Sequence, residues 1–304
     1  MKNYFKEICL LFLIRRKKEE KQKFFEYVSN EFEQGRVKKE ILNGENENIV
    51  IGDIESARVI ITAHYDTPAT SLFPNLMIPA NRGLNYLYHF AYPLVLALAS
   101  LAIAFGIITA FSLDTPYFVG LYLVIYFAAF FCSTRLFTNK NNVNDNTSGV
   151  ATLLSIAKQT NSKKVAFVLF DNEEKGLLGS KAMNKKYKEL LKNKLVVNFD
   201  CVANGKEILF IVKNGAENCL EYELLRKSFA SKDGFTVHFL PFKKCASNSD
   251  YKSFECGVGV SAYSKGKIVK FITGKIHTNN DTVGDEANIE YLTNATLEFI
   301  NALN

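Results

Sequence analysis

No two cysteines in this 304-residue chain are spaced as C-x-x-C, and the six present (Cys9, Cys132, Cys201, Cys219, Cys245, Cys256) are scattered. That argues against a disulfide framework and for reduced thiols in a reducing compartment. Strong charge is lacking too. The net charge of +6 is too mild to imply a nucleic-acid partner, and much of the excess sits in "RRKKEEKQK", Arg15–Lys23. There is no internal repeat or low-complexity segment, and no residue pattern specifies an oligomeric state. A secretory signal is also missing. "ICLLFLI" (Ile8–Ile14) is short, its charge cluster follows it, and no small-residue cleavage site does. Residues 1–32 read instead as a basic amphipathic helix, from Asn3 to about Phe32. It would rest on an anionic leaflet or serve as an ordinary surface helix.

The longest absence is of charged residues between Gly83 and Leu113, where no Asp, Glu, Lys or Arg occurs. Within it, "FAYPLVLALASLAIAFGIITAF" (Phe90–Phe111) is long enough to cross a bilayer. After a turn, "SLDTP", comes "YFVGLYLVIYFAAFFCST" (Tyr117–Thr134), which is just long enough. Tyr86, Tyr88, Tyr92 and Tyr117 lie near the ends, as interfacial aromatics do. A transmembrane hairpin over residues 83–137 is expected, the other reading being two buried core helices or an apolar lid. Arg82 precedes it, Arg135 and Lys140 follow it, and its turn carries Asp114. The positive-inside rule then puts both outer ends, and the rest of the chain with them, in the cytoplasm. Residues 33–82 and 138–304 are left as one domain interrupted by the hairpin.

Outside the hairpin, apolar runs end in polar clusters. "RVIITA" leads into His64, Tyr65 and Asp66; "VAFVLF" into Asp171, Asn172, Glu173 and Glu174; "LVVNF" into Asp200. "GVGVSAY" (Gly257–Tyr263) is a further β-branched run. Helical patterns intervene from Thr147 and from Gly176. Apolar strands alternating with helices describe an α/β fold, a mixed, mainly parallel β-sheet flanked by helices on both faces. Ligands bind such sheets at the carboxyl ends of the strands, where the clusters fall.

Each cluster alone is weak. His64 and Asp66 point the same way in extended chain, and a carboxylate there can fix a histidine's tautomer. Asp145 precedes a helical pattern and could be only an N-cap. Asp200 could merely cap a turn, and His277 and Asp281 lie in a polar stretch with nothing decisive. His89 and His238 lack carboxylate clusters and are read as non-ligands. Together, His64, His277, Asp145, Glu174 and Asp200 are too many ligands for one tetrahedral zinc. They suit two zinc ions per chain sharing a bridging carboxylate.

In order, the chain carries "AHYDTP", "NDNTSGVA", "FDNEEKGLLGS", "NFD", "SDYKSF" and "IHTNNDT". This series resembles the M28 family of zinc metallopeptidases, and it spans His64 to Asp281. The resemblance implies peptide substrates, most simply for an aminopeptidase, and a pair of Zn2+ ions. His64, Asp145 and Asp200 resemble the ligands of one ion. Asp145, Glu174 and His277 resemble those of the other, so Asp145 is the bridge. Glu173 matches the general base, and Asp66 the partner of His64. Asp250 and Phe254 are placed near the site without a role. The departure is the apolar insertion between "AHYDTP" and "NDNTSG". A glutaminyl cyclase-like acyl transfer on one zinc and a non-catalytic membrane scaffold are the alternatives.

Overall fold

The computed structural model describes residues 2–303 apart from residues 113, 115 and 233. In chain order the elements are α1 (Tyr4–Leu11), α2 (Lys18–Glu31), β1 (Val37–Leu42), β2 (Asn46–Ile51), β3 (Val59–His64), α3 (Arg82–Ala110), α4 (Pro116–Phe131), α5 (Gly149–Gln159), β4 (Val165–Phe170), α6 (Leu178–Lys186), α7 (Lys188–Leu191), β5 (Leu195–Phe199), β6 (Glu207–Val212), α8 (Asn214–Glu217), α9 (Leu220–Ser228), β7 (Thr236–Pro241), β8 (Gly257–Tyr263) and α10 (Glu286–Ala302).

The strands form one eight-stranded sheet, ordered β1-β2-β4-β3-β5-β8-β6-β7. The central run β4-β3-β5-β8 is parallel; β1, β2 and the β8–β6 pairing supply the antiparallel part. Every residue of β3, β4 and β5 is buried, because helices cover both faces. Val59 and Ile61 pack with Phe24, Leu154 and Phe299 on one side. Ile60 packs with Val168, Met183 and Leu191 on the other. This alternation is why the strands read as unbroken apolar runs. The order also explains how the site assembles. β3, which ends in His64, lies between β4, which leads to Glu173 and Glu174, and β5, which leads to Asp200.

The single helix expected from Asn3 to about Phe32 is corrected to two helices, α1 and α2, broken at residues 12–17. Tyr4, Phe5, Ile8, Phe24 and Val28 are buried in the main core. The segment therefore spends its apolar face on the sheet's helical layer rather than on a free surface. The break is held by Arg15, which is fully buried.

α3 and α4 are long and apolar enough to cross a membrane, the second counted with the continuous turn to Leu136. They are not core helices: only 11% of the apolar window of α3 is buried, and none of that of α4. Leu94, Val95, Leu98, Phe105, Val124 and Phe127 point outward. The alternative of two buried core helices is thereby removed. Of the connecting turn, Leu113 and Thr115 lie outside the described residues.

Candidate active site

His64 closes β3 with its two ring nitrogens facing different neighbours. Nε2 lies 3.3 Å from Asp145 Oδ1 and 3.7 Å from Asp200 Oδ1. Nδ1 lies 3.1 Å from the Asp66 carbonyl oxygen and 3.6 Å from its Oδ1. His277 approaches from a loop, with φ of 59°. Its Nε2 is 3.1 Å from Asp145 Oδ2 and 3.4 Å from Glu174 Oε2. The two oxygens of Asp145 thus face two different histidines. Among the described residues, three groups bring potential ligand atoms within 4.8 Å of one another. They are His64/Asp145/Asp200, Asp145/Glu174/His277 and His64/Glu173/Glu174. The five proposed ligands and Glu173 all enter these groups, Asp66 lies against His64, and His89 and His238 enter none of them. His238 instead meets Glu207 at 2.6 Å.

The surrounding chain fixes each carboxylate. Asp281 Oδ2 accepts the backbone N–H of Asp145 at 2.9 Å, and its Oδ1 that of Asn144 at 3.1 Å. Asp66 accepts the N–H of Glu173 at 3.0 Å and of Glu174 at 3.2 Å. Ser249 Oγ donates to Asp200 Oδ2 at 2.5 Å and receives Asn198 Nδ2 at 2.8 Å. Gly149 must lack a side chain, since a Cβ there would fall 2.4 Å from both Asn146 Oδ1 and Phe199 O. From the N-terminal segment, Arg15 Nε donates to the Tyr65 carbonyl at 2.5 Å and Nη1 to Thr147 Oγ1 at 3.2 Å. One guanidinium so joins the turn after His64 to the turn after Asp145. Lys21 Nζ donates to Asp171 Oδ1 at 2.5 Å and to Asn172 Oδ1 at 3.0 Å, below the two glutamates.

The electrostatics follow from crowding acids out of water. Burial opposes protonation of His64, yet Glu173, Asp145, Asp200 and Asp66 outweigh it and hold its pKa well above the ordinary value. Burial likewise opposes charge on His277, and Glu174 and Asp145 lift it to about 9. Asp145 stays low against its burial because both histidines face it. Glu174 is raised to about 8 by burial and by Asp145, and Glu173 is pushed well up by burial and then by Glu174. Asp250, fully buried beside these acids, rises to about 7, chiefly through burial. Such a cluster is short of positive charge.

The donor set fits a zinc pair. Edge lengths between ligand atoms of a tetrahedral zinc with N and O donors are roughly 3.3 Å, from bond lengths near 2.0 Å. The four Nε2-to-carboxylate distances at Asp145, Asp200 and Glu174 run from 3.1 to 3.7 Å. Glu174 Oε1 is buried without a hydrogen-bond partner.

A cavity of about 560 Å³ opens over these residues. Its far wall includes Asn85, Tyr86 and His89 of α3, and Arg135 at the end of the hairpin. In the sequence Tyr86 and Arg135 read only as membrane-interface residues and His89 as a non-ligand, and no site role attaches to Asn85, Arg15 or Ser249. The proximity of the hairpin residues follows from the insertion's place between "AHYDTP" and "NDNTSG", which brings both of its ends to the active-site rim. Asp281 was legible as a polar neighbour of His277, but not as the acceptor that clamps Asp145.

Comparison with known proteins bears on this arrangement. The model of peptidase family M28 matches residues 125–300. No curated protein sequence matches the chain. A zinc-dependent exopeptidase from Parabacteroides distasonis is similar in structure with a TM-score of 0.59 at 16% identity, covering 98% of this chain and 95% of its own. A glutaminyl cyclase from Porphyromonas gingivalis superposes with a TM-score of 0.58 at 14% identity, covering 99% and 98%. The LapA aminopeptidase of Legionella pneumophila gives 0.54 at 14% identity, over 99% and 68%. At these identities the structural likenesses establish the fold.

Proposed function

Because the chain belongs to peptidase family M28, we propose that it is a membrane-anchored di-zinc aminopeptidase. The observation that carries this reading is Asp145, whose two oxygens face the two histidines of two separate ligand groups. His64, Asp145 and Asp200 would hold one zinc; Asp145, Glu174 and His277 the other. When bound, the pair supplies Lewis acidity to an attacking water and to the scissile carbonyl.

The chain's own residues do the rest. Glu173 lies in the same cluster as His64 and Glu174, and it is partly open to the cavity. It takes the proton of the water and later delivers it to the leaving amine. Its raised affinity for a proton suits that exchange. Asp66 orients His64 through Nδ1 and fixes the backbone of both glutamates. The crowded carboxylates also offer a counter-charge to a substrate's free α-amine.

Exposed α3 and α4 supply the anchor, crossing the bilayer as a hairpin through residues 83–137. Arg82, Arg135 and Lys140 flank it, so the positive-inside rule places the catalytic domain in the cytoplasm. The two ligand groups that share Asp145 through its different oxygens favour the two-zinc peptidase over a one-zinc acyl transfer. The test is hydrolysis of matched peptides with free and blocked N-termini by the detergent-extracted protein, with and without chelator. Cleavage confined to free N-termini and lost with chelator supports the reading. Equal cleavage of both sets contradicts an aminopeptidase.

A further inference from the structure

α3 serves two purposes along its length. Its first two turns, from Asn81 to His89, belong to the catalytic domain. Asn85 is buried and accepts the Ile78 N–H at 2.8 Å. Arg82 Nη1 donates to the Lys243 carbonyl, and Tyr88 Oη to that of Pro74, both at 2.8 Å. The strap leading into the helix is pinned by Ala246 N–H to Pro79 O at 2.8 Å, and by Met77 N–H to Thr273 O at 2.8 Å. These turns are therefore held rigidly against the site, and Asn85, Tyr86 and His89 line its cavity.

From Phe90 onward the same helix is apolar, with Phe90, Leu94, Val95, Leu98, Leu101, Ile103 and Phe105 exposed. Phe90–Phe111 rises about 33 Å, matching a hydrocarbon core of about 30 Å. With the bilayer set on that stretch, the cavity wall from His89 to Asn85 stands roughly 2–8 Å above the hydrocarbon edge, along the helix axis. The opposite end of the hairpin returns to the same level, because Arg135 lines the same cavity. The cavity wall that these residues form is thus at headgroup depth.

On the reading of the chain as a membrane-anchored aminopeptidase, we propose that its substrates are the N-termini of membrane-tethered peptides, entering within a few residues of the bilayer. A freely diffusing peptide gains nothing from this placement. A tethered one is concentrated at the surface and needs only a short reach, about 3.3–3.6 Å per extended residue.

The full-length protein, loaded with zinc, is placed in phosphatidylcholine–phosphatidylglycerol vesicles with three substrates of one N-terminal sequence. One is free, one is joined by about six residues to a membrane-spanning helix, and one by about 25, so that the reaches are roughly 20 Å and 80 Å. The expected result is that the short-tethered substrate is trimmed about tenfold or more faster than the free one at equal total concentration, and no slower than the long-tethered one. Trimming of the long-tethered substrate alone overturns the proposal, because the site then stands away from the surface. Equal rates for free and tethered substrates overturn it too. In either case the peptidase reading survives, since the long-tethered substrate is cut in the first and the free peptide in the second. Failure to cut any substrate, in vesicles or in detergent, overturns both.

Discussion

The carboxylate of Asp66 accepts the backbone N–H of Glu173 at 3.0 Å. Its second oxygen takes the N–H of Glu174 at 3.2 Å, while the Asp66 carbonyl faces His64 Nδ1. One residue just after β3 therefore sets the histidine that ends that strand, and the proposed base and a proposed ligand in the turn after β4.

Removing that carboxylate should loosen all three. Asp66→Ala is expected to lower kcat/KM by about 10–100-fold and to weaken zinc binding by a similar factor. Steady-state kinetics and competition with a chelator of known affinity check both. Wild-type values for the two quantities would show that Asp66 orients nothing of consequence.

The neighbouring glutamates should fail differently. Glu173→Gln is expected to keep its zinc and lose about 10²–10⁴-fold in kcat, the usual contribution of a general base. Glu174→Gln is expected to lose zinc from one position, with turnover partly restored by excess metal. Metal content and turnover measured on the same preparations separate the two. Matching losses of zinc in both variants would contradict the division of roles.

Much of this site could be read from the sequence because of where its residues sit. His64, Asp171–Glu174 and Asp200 each follow an unbroken apolar run, and buried parallel strands produce that pattern. The resemblance then tied in His277, which no periodicity singles out because it sits in a loop at positive φ. What stayed illegible depends on distant partners. "RRKKEEKQK" reads as a solvated charge cluster, yet Arg15 and Lys21 are buried in it. Their acceptors are Tyr65, Thr147 and Asp171, 50 to 150 positions away. For the same reason one helix was expected where there are two. The chain must break near Arg15 to carry its guanidinium beneath β3. That both ends of the insertion approach the site follows from its place between "AHYDTP" and "NDNTSG", but which side chains of α3 face the cavity does not, since nothing local shows which way its first turns are docked.

Arg15 offers a stability test. Its burial lowers the guanidinium pKa to about 10, with Asp66 the first of the charges opposing the drop, so it stays cationic at neutral pH. Arg15→Met removes the donors to Tyr65 and Thr147 and leaves a buried carbonyl unpaired. The expected cost is about 3 kcal/mol, seen as a lower thermal midpoint in detergent. An unchanged midpoint would mean that the N-terminal helices do not depend on this contact.

Gly149→Ala tests the packing behind Asp145. The added methyl would press on Asn146 Oδ1 and the Phe199 carbonyl, each at 2.4 Å. Overpacking of this kind costs about 1–3 kcal/mol. Because the turn carries Asp145, zinc occupancy should fall along with the thermal midpoint. Loss of stability with full occupancy would separate the turn from the metal site.

The shared carboxylate is the centre of the account, and elemental analysis of wild-type and Asp145→Ala protein, purified side by side in detergent, tests it most directly. The prediction is two zinc ions per wild-type chain and close to none in the variant, because both ligand groups lose the same residue. One zinc in the wild type, or a variant that retains two, would contradict the bridge and with it the di-zinc mechanism.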